Sequence, residues 1–139
     1  MISPVICPTI TAFSSSEYAQ QIKQVTNFAR RIHIDLMDGD FAPTVSPELS
    51  TVWWPHHVQA DVHLMYRRPM DYIEDLVRIH PRMVIVHAEA EVHHMHFAAE
   101  LHKAGIRAGL AVLQDTPIKN IQHYLAQMCL VILLSTHLR

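Results

Sequence analysis

Short apolar runs recur along the chain every twenty-odd residues, and between them the apolar positions spread out to a helical period. The runs "VICPTI" (5–10), "RIHIDLM" (31–37), "VQADVHLM" (58–65), "MVIVHAE" (83–89), "IRAGLAVL" (106–113) and "CLVILLS" (129–135) read as strands. "SSSEYAQQIKQVTNFA" (14–29) reads as a helix opened by a serine cap, with Glu17 in its first turn. "PMDYIEDLVRIH" (69–80) starts with Pro69 at a helix's first position, and further helices are expected near 91–104 and 117–128. The proline-bearing "APTVSPELSTVWWP" reads as a loop holding at most a short helix.

Strands alternating with helices make repeated βαβ units, and those build a parallel α/β sheet. An open doubly wound sheet and a (β/α)8 barrel both fit this order, although a barrel takes about 200 residues or more. At 139 residues the chain reads as a single domain with room for a real core.

Alternation within the strands adds chemistry. In 31–37, Ile32, Ile34 and Leu36 share one face while His33, Asp35 and Met37 share the other. In 58–65, Val62 and Leu64 oppose Asp61, His63 and Met65. The apolar faces suit a covering layer of helices, so His33, Asp35 and His63 point together into a barrel interior or crevice. Burying such groups unpaired costs several kcal/mol, on the order of a domain's whole stability. Two imidazoles and a carboxylate form a partial ligand set for a divalent transition metal; the plain alternative is a set of hydrogen-bonded interior residues. His93, His94, His96 and His102 read as a solvated helix face, His56 and His57 as loop surface, and Trp53 and Trp54 as a cap on the core or an interface cover. His87, beside Glu89 at the end of its strand, stands between a site-lining and a structural role.

Composition narrows the function classes. Half of the chain is hydrophobic, 17% is charged and the formal charge is -2, with no basic stripe interleaved with aromatics, so no nucleic-acid partner is expected. Cys7 and Cys129 are too few for a disulfide framework and read as reduced thiols. The first ten residues lack the pattern of a signal peptide, and the apolar run 128–134 is far below the roughly 20 residues that span a bilayer, so the expected setting is cytoplasmic with no membrane partner. Twelve histidines point to metal or proton chemistry, whereas three glycines argue against a Gly-rich phosphate cradle.

"HIDLMDGDF" followed by Pro43 resembles the second-strand motif H-[LI]-D-x-M-D-G-x-F-x-P of the ribulose-phosphate 3-epimerase family. "DVHLM" (61–65) is similar to that family's third strand, "VHAEA" (86–90) to its fourth-strand H-x-E, and "GIRAGLAVLQDTP" (105–117) to its fifth strand and turn. "CPTI" (7–10) resembles the opening A-P-S-I, with Thr9 in place of serine. The resemblance implies a TIM barrel and a metal-assisted proton transfer at carbon 3 that interconverts ribulose 5-phosphate and xylulose 5-phosphate. It implies a divalent ion (zinc, iron, manganese or cobalt) held by His33, Asp35 and His63 together with a seventh-strand aspartate. Asp35 is then one acid/base and that later aspartate the other, while Thr9, Met37, His63, Met65 and His87 touch a phosphorylated ketose.

Departures from the pattern are Asp40 for a histidine, "LQDTP" for N-P-x-T-P, and Leu134 for a sixth-strand methionine. The sequence holds six of the family's eight βα units, so the expected fold is an incomplete barrel over 1–139, lacking strands seven and eight with the second aspartate and the phosphate-binding amides. Open sheet edges invite pairing, and either a truncated product or self-association into a homo-oligomer is expected. The alternatives are a related enzyme acting on allulose 6-phosphate and a metal- or sugar-phosphate-binding remnant without catalysis. The orotidine-phosphate decarboxylase and hexulose-phosphate synthase group asks for a strand-borne D-x-K, and the second strand offers "DLM" instead.

Overall fold

The computed structural model describes residues 5–134. Six parallel strands, β1 (Thr9–Thr11), β2 (Arg31–Met37), β3 (Gln59–Met65), β4 (Met83–His87), β5 (Arg107–Leu113) and β6 (Leu130–Leu134), lie side by side in chain order. The helices α1 (Ser15–Val25), α2 (Ile73–Ile79) and α3 (His94–Lys103) connect them. The sheet curls, so that Ile132 and Leu134 of β6 line one cleft with residues of β1, β2 and β3. The architecture is an incomplete (β/α)8 barrel.

The outer face of the curl carries Ile32, Ile34, Leu36, Val62, Leu64, Val84 and Val86, all nearly or fully buried against the helix layer. From α1 come Tyr18 and Ile22, and from α3 come Phe97, Ala98 and Leu101. Ser14 caps α1 by accepting from the Glu17 amide at 3.2 Å, and the Glu17 carboxylate accepts in return from the Phe13 amide at 2.9 Å. The inner face is layered. At the amino ends of the strands, Asp61 accepts from Arg31 at 2.5 Å and from Arg82 at 3.0 Å. Met83, Ile85 and Ala111 form an apolar middle with Leu130 and Ile132, and Met37, Met65, Ala42 and Phe41 close the carboxyl end.

β2 runs over the expected residues, and the other later strands differ from expectation by one or two residues at their ends; Ser135 lies outside the described residues. The first strand is shorter than 5–10. Val5 and Ile6 are largely exposed, and pairing begins where the Pro8 carbonyl accepts from the His33 amide at 2.9 Å. The helix expected at 117–128 is instead two 3-10 turns, Ile118–Asn120 and Leu125–Gln127. Short helices are held mainly by an apolar face packed on neighbours. Here Ile121 is buried while Ile118 and Leu125 face outward, so the packing that sustains an α-helix is missing. His94 also departs from expectation. It is 3% exposed, and its Nε2 lies 2.9 Å from the His87 carbonyl oxygen. Because α3 begins against the carboxyl end of β4, its first residue is a packing position and not a solvated one.

Candidate metal centre

Parallel register brings the polar inner residues into rows. Thr11 pairs with Asp35, and Asp35 with His63, so three strands contribute to one row near their carboxyl ends. His33 lies one inward position below, opposite Thr9. Thr9, His33, Asp35, His63, Met65, Ile132 and Leu134 line a cleft of about 220 Å³. In barrels of this kind the reactive end is the carboxyl end of the strands.

Asp35 is the hub. Its Oδ1 lies 3.2 Å from His33 Nε2 and 3.2 Å from His63 Nδ1, while Oδ2 accepts from the Thr11 hydroxyl at 2.8 Å. Burial pushes its pKa up, but the hydrogen bonds from His33, His63 and Thr11 outweigh that and hold the carboxyl well below the usual carboxylate range. His63 is pulled down from the ordinary histidine value, mainly by burial.

The donor atoms of His33, Asp35 and His63 all lie within 4.8 Å of one another. Two ligand atoms each about 2.1 Å from a shared ion lie roughly 3.0–3.4 Å apart at angles between square and tetrahedral. The two 3.2 Å spacings about Asp35 Oδ1 fit that edge length, and the mixed N, N, O set suits a divalent transition ion.

Behind the cleft the polar chain continues inward. His63 Nε2 lies 3.1 Å from His87 Nε2, with the two rings stacked at 5.1 Å, and Phe41 stacks on His87 at 4.4 Å. His87 Nδ1 faces Glu89 Oε2 at 3.5 Å. Glu89 Oε1 accepts from the Leu113 amide at 3.0 Å and from the Thr116 hydroxyl. Burial raises the Glu89 pKa, but His87, Thr116 and the Leu113 amide bring it down to about 2.

The sequence model of the Ribulose-phosphate 3 epimerase family matches residues 5–137. The chain belongs to that family. Among curated members of this epimerase family, the ribulose-phosphate 3-epimerase of Bacillus subtilis (strain 168) is 33% identical over 137 residues, which are 95% of this chain and 63% of that protein. That of Treponema pallidum (strain Nichols) is 32% identical over 112 residues, 78% of this chain and 51% of its own length. That of Helicobacter pylori (strain J99) is 29% identical over 135 residues, 95% and 62%. The chain thus spans between half and two thirds of the length of these epimerases.

Of the residues singled out from sequence, His33, Asp35, His63, Thr9 and Met65 meet at the cleft. Met37 is buried beneath it with Met65 and Ala42, its sulfur 3.4 Å from the Thr44 hydroxyl. His87 has no exposed surface and reaches the cleft only through His63. Thr11 was not foreseen, although it stands two residues after Thr9 and so shares its face. Nor was the half-buried pairing of Glu89 and Thr116, which are 27 residues apart and meet only in three dimensions. Asp61 shares the inner face of β3 but is engaged by two arginines below the cleft. No helix among the described residues is long and apolar enough to cross a membrane.

Proposed function

We propose that this chain carries the metal-binding side of a pentose-phosphate 3-epimerase site, at which ribulose 5-phosphate and xylulose 5-phosphate interconvert by proton transfer at carbon 3, in a cytoplasmic setting. The observation that supports this is the convergence of His33 Nε2, His63 Nδ1 and Asp35 Oδ1 at the open carboxyl end of the sheet, in a chain of the epimerase family. His33, Asp35 and His63 would hold a divalent ion; zinc, iron, manganese and cobalt all suit these donors. Held there, a divalent ion would supply polarisation of the substrate carbonyl and charge to offset the negative charge that develops as the carbon-bound proton leaves.

The chain's own groups do the rest. Asp35 is ionised and accepts the proton from one face of carbon 3, and the Thr11 hydroxyl on Oδ2 keeps its carboxylate from rotating. Thr9, exposed at the rim, offers a hydroxyl to the sugar. Met65, backed by Met37, gives the cleft an apolar wall that limits water. Inversion at carbon requires a proton returned from the opposite face. Among the described residues, Asp35 is the one carboxylate lining the cleft, so these residues provide one of the two proton-transfer groups.

The test is ribulose 5-phosphate in D2O with zinc or cobalt supplied, with deuterium at carbon 3 read by NMR and allulose 6-phosphate run in parallel. Exchange is expected with the pentose phosphate, and Asp35→Asn is expected to lower it by about 10²-fold or more. Exchange that survives Asp35→Asn overturns the assignment. Metal binding without any exchange replaces it with a non-catalytic, sugar-phosphate-binding reading, which the single lining carboxylate already favours as the runner-up.

A further inference from the structure

The hydrogen-bond line that runs inward from the cleft contains more acceptors than protons. From Asp35 through the rings of His63 and His87 to Glu89 there are three gaps: Oδ1 to Nδ1 at 3.2 Å, Nε2 to Nε2 at 3.1 Å, and Nδ1 to Oε2 at 3.5 Å. Two neutral imidazoles bring two N–H groups, and both end groups are carboxylates that only accept. One gap is therefore left without a proton. At the inner end His87 Nδ1 and Glu89 Oε2 are buried and face each other at 3.5 Å, with no closer partner among the described residues. A cation beside His63 Nδ1 resolves the count. It takes the place of the missing proton at the Asp35 end, and the two remaining protons fall in the two inner gaps.

We propose that Glu89 is a positioning residue which, acting through His87, fixes the tautomer of His63 and thereby sets how tightly the site holds its metal. The inference rests on the metal-site reading above and deepens it. With the carboxylate accepting from His87 Nδ1–H, His87 Nε2 is a bare acceptor. It then draws the proton of His63 to Nε2 and leaves Nδ1 with its lone pair facing the cleft. Ligating histidines are commonly oriented by a carboxylate on their other nitrogen, and losing such a partner weakens metal binding by about 10–100-fold. Here the carboxylate lies one imidazole further away, and the packing of Phe41, His87 and His63 holds the three rings nearly parallel.

An isosteric change inverts the line. In Glu89→Gln the Leu113 amide and the Thr116 hydroxyl still require an acceptor at Oε1, so the amide NH2 points at His87 Nδ1. His87 then carries its proton on Nε2, aimed at His63 Nε2, and a metal on His63 Nδ1 forces two N–H groups against each other.

The experiment measures zinc affinity by competition with a chromophoric chelator, and ring tautomers by long-range 1H–15N NMR of the zinc-loaded chain, for the wild type, Glu89→Gln and Thr116→Val. Expected are an Nε2–H His63 and an Nδ1–H His87 in the wild type, a 10–100-fold weaker zinc affinity in Glu89→Gln, and near wild-type affinity in Thr116→Val, which keeps the carboxylate. Wild-type chain that binds no zinc overturns the metal-site reading itself. Tight wild-type binding with equal affinity in Glu89→Gln, or His87 protonated on Nε2 in the loaded wild type, overturns this inference alone. Should Glu89→Gln fail to fold, the wild-type tautomer of His87 decides.

Discussion

At position 109 the inner face of β5 lies so close to β4 that a Cβ would meet Ile85 Cγ1 at 2.9 Å and Met83 Sδ at 3.3 Å. The backbone at Gly109 is not in the left-handed region, so this glycine answers to space alone. Ile85 is fully buried and cannot swing clear. Gly109→Ala is expected to destabilise the chain by about 1–3 kcal/mol, as overpacking does in cores. In an Ile85→Ala background the same change should cost markedly less. Urea unfolding of the four variants measures the coupling, and additive costs would remove the contact from the account. The residues of the site obey the same local logic. His33, Asp35 and His63 were legible because a period of two puts them on one face of adjacent strands. Glu89 was legible only as a neighbour of His87, since its working partner Thr116 arrives from another loop.

Among the elements, α3 shows how a residue type can mislead where spacing does not. His94, Phe97, Ala98 and Leu101 are its buried positions, an i, i+3, i+4, i+7 series that marks the core face of a helix. Polarity suggested a solvated histidine, and that expectation is wrong for His94, which shares the core face with Phe97, Ala98 and Leu101. Burial pulls the His94 pKa below its ordinary 6.5; the bond to the His87 carbonyl and the charge of Glu89 oppose the shift, and His93 and His123 add to it. Between the lowered folded value and 6.5 the unfolded chain binds more protons than the folded one, so stability falls as pH falls. The stabilisation from a neutral His94 is full above about pH 6.5 and is lost below it. Urea midpoints of wild type and His94→Gln should therefore differ most above pH 6.5 and converge as the pH falls below it. Parallel profiles would remove His94 as the source.

For the whole molecule, the sheet order leaves β1 and β6 each with a single neighbour. The outward residues of β6, Val131 and Leu133, are 39% and 68% exposed, whereas the matching outer residues of β2 to β5 are buried. A parallel strand with bare amides and apolar side chains is a template for pairing. Expressed as these 139 residues, the chain is expected to self-associate, with its weight-average mass in sedimentation rising with concentration. A monomer at every concentration, with β1 and β6 amides protected from hydrogen exchange, would contradict this.

The sequence pattern determined that there are six strands and, through their alternation with helical segments, that they pair in parallel; residue parity put His33, Asp35 and His63 on one face. It also carried the second-strand motif by which the family resemblance is recognised. Tertiary structure decided whatever depends on distance across the fold. Curling brings β6 round to the cleft of β1, β2 and β3, the segment 117–128 loses its helix for want of a partner surface, and Asp61 is claimed by Arg31 and Arg82. The line from Asp35 to Glu89 belongs to the second kind. Its members come from β2, β3, β4 and the turn after β4, and only their packing sets the two carboxylates and two imidazoles in one line.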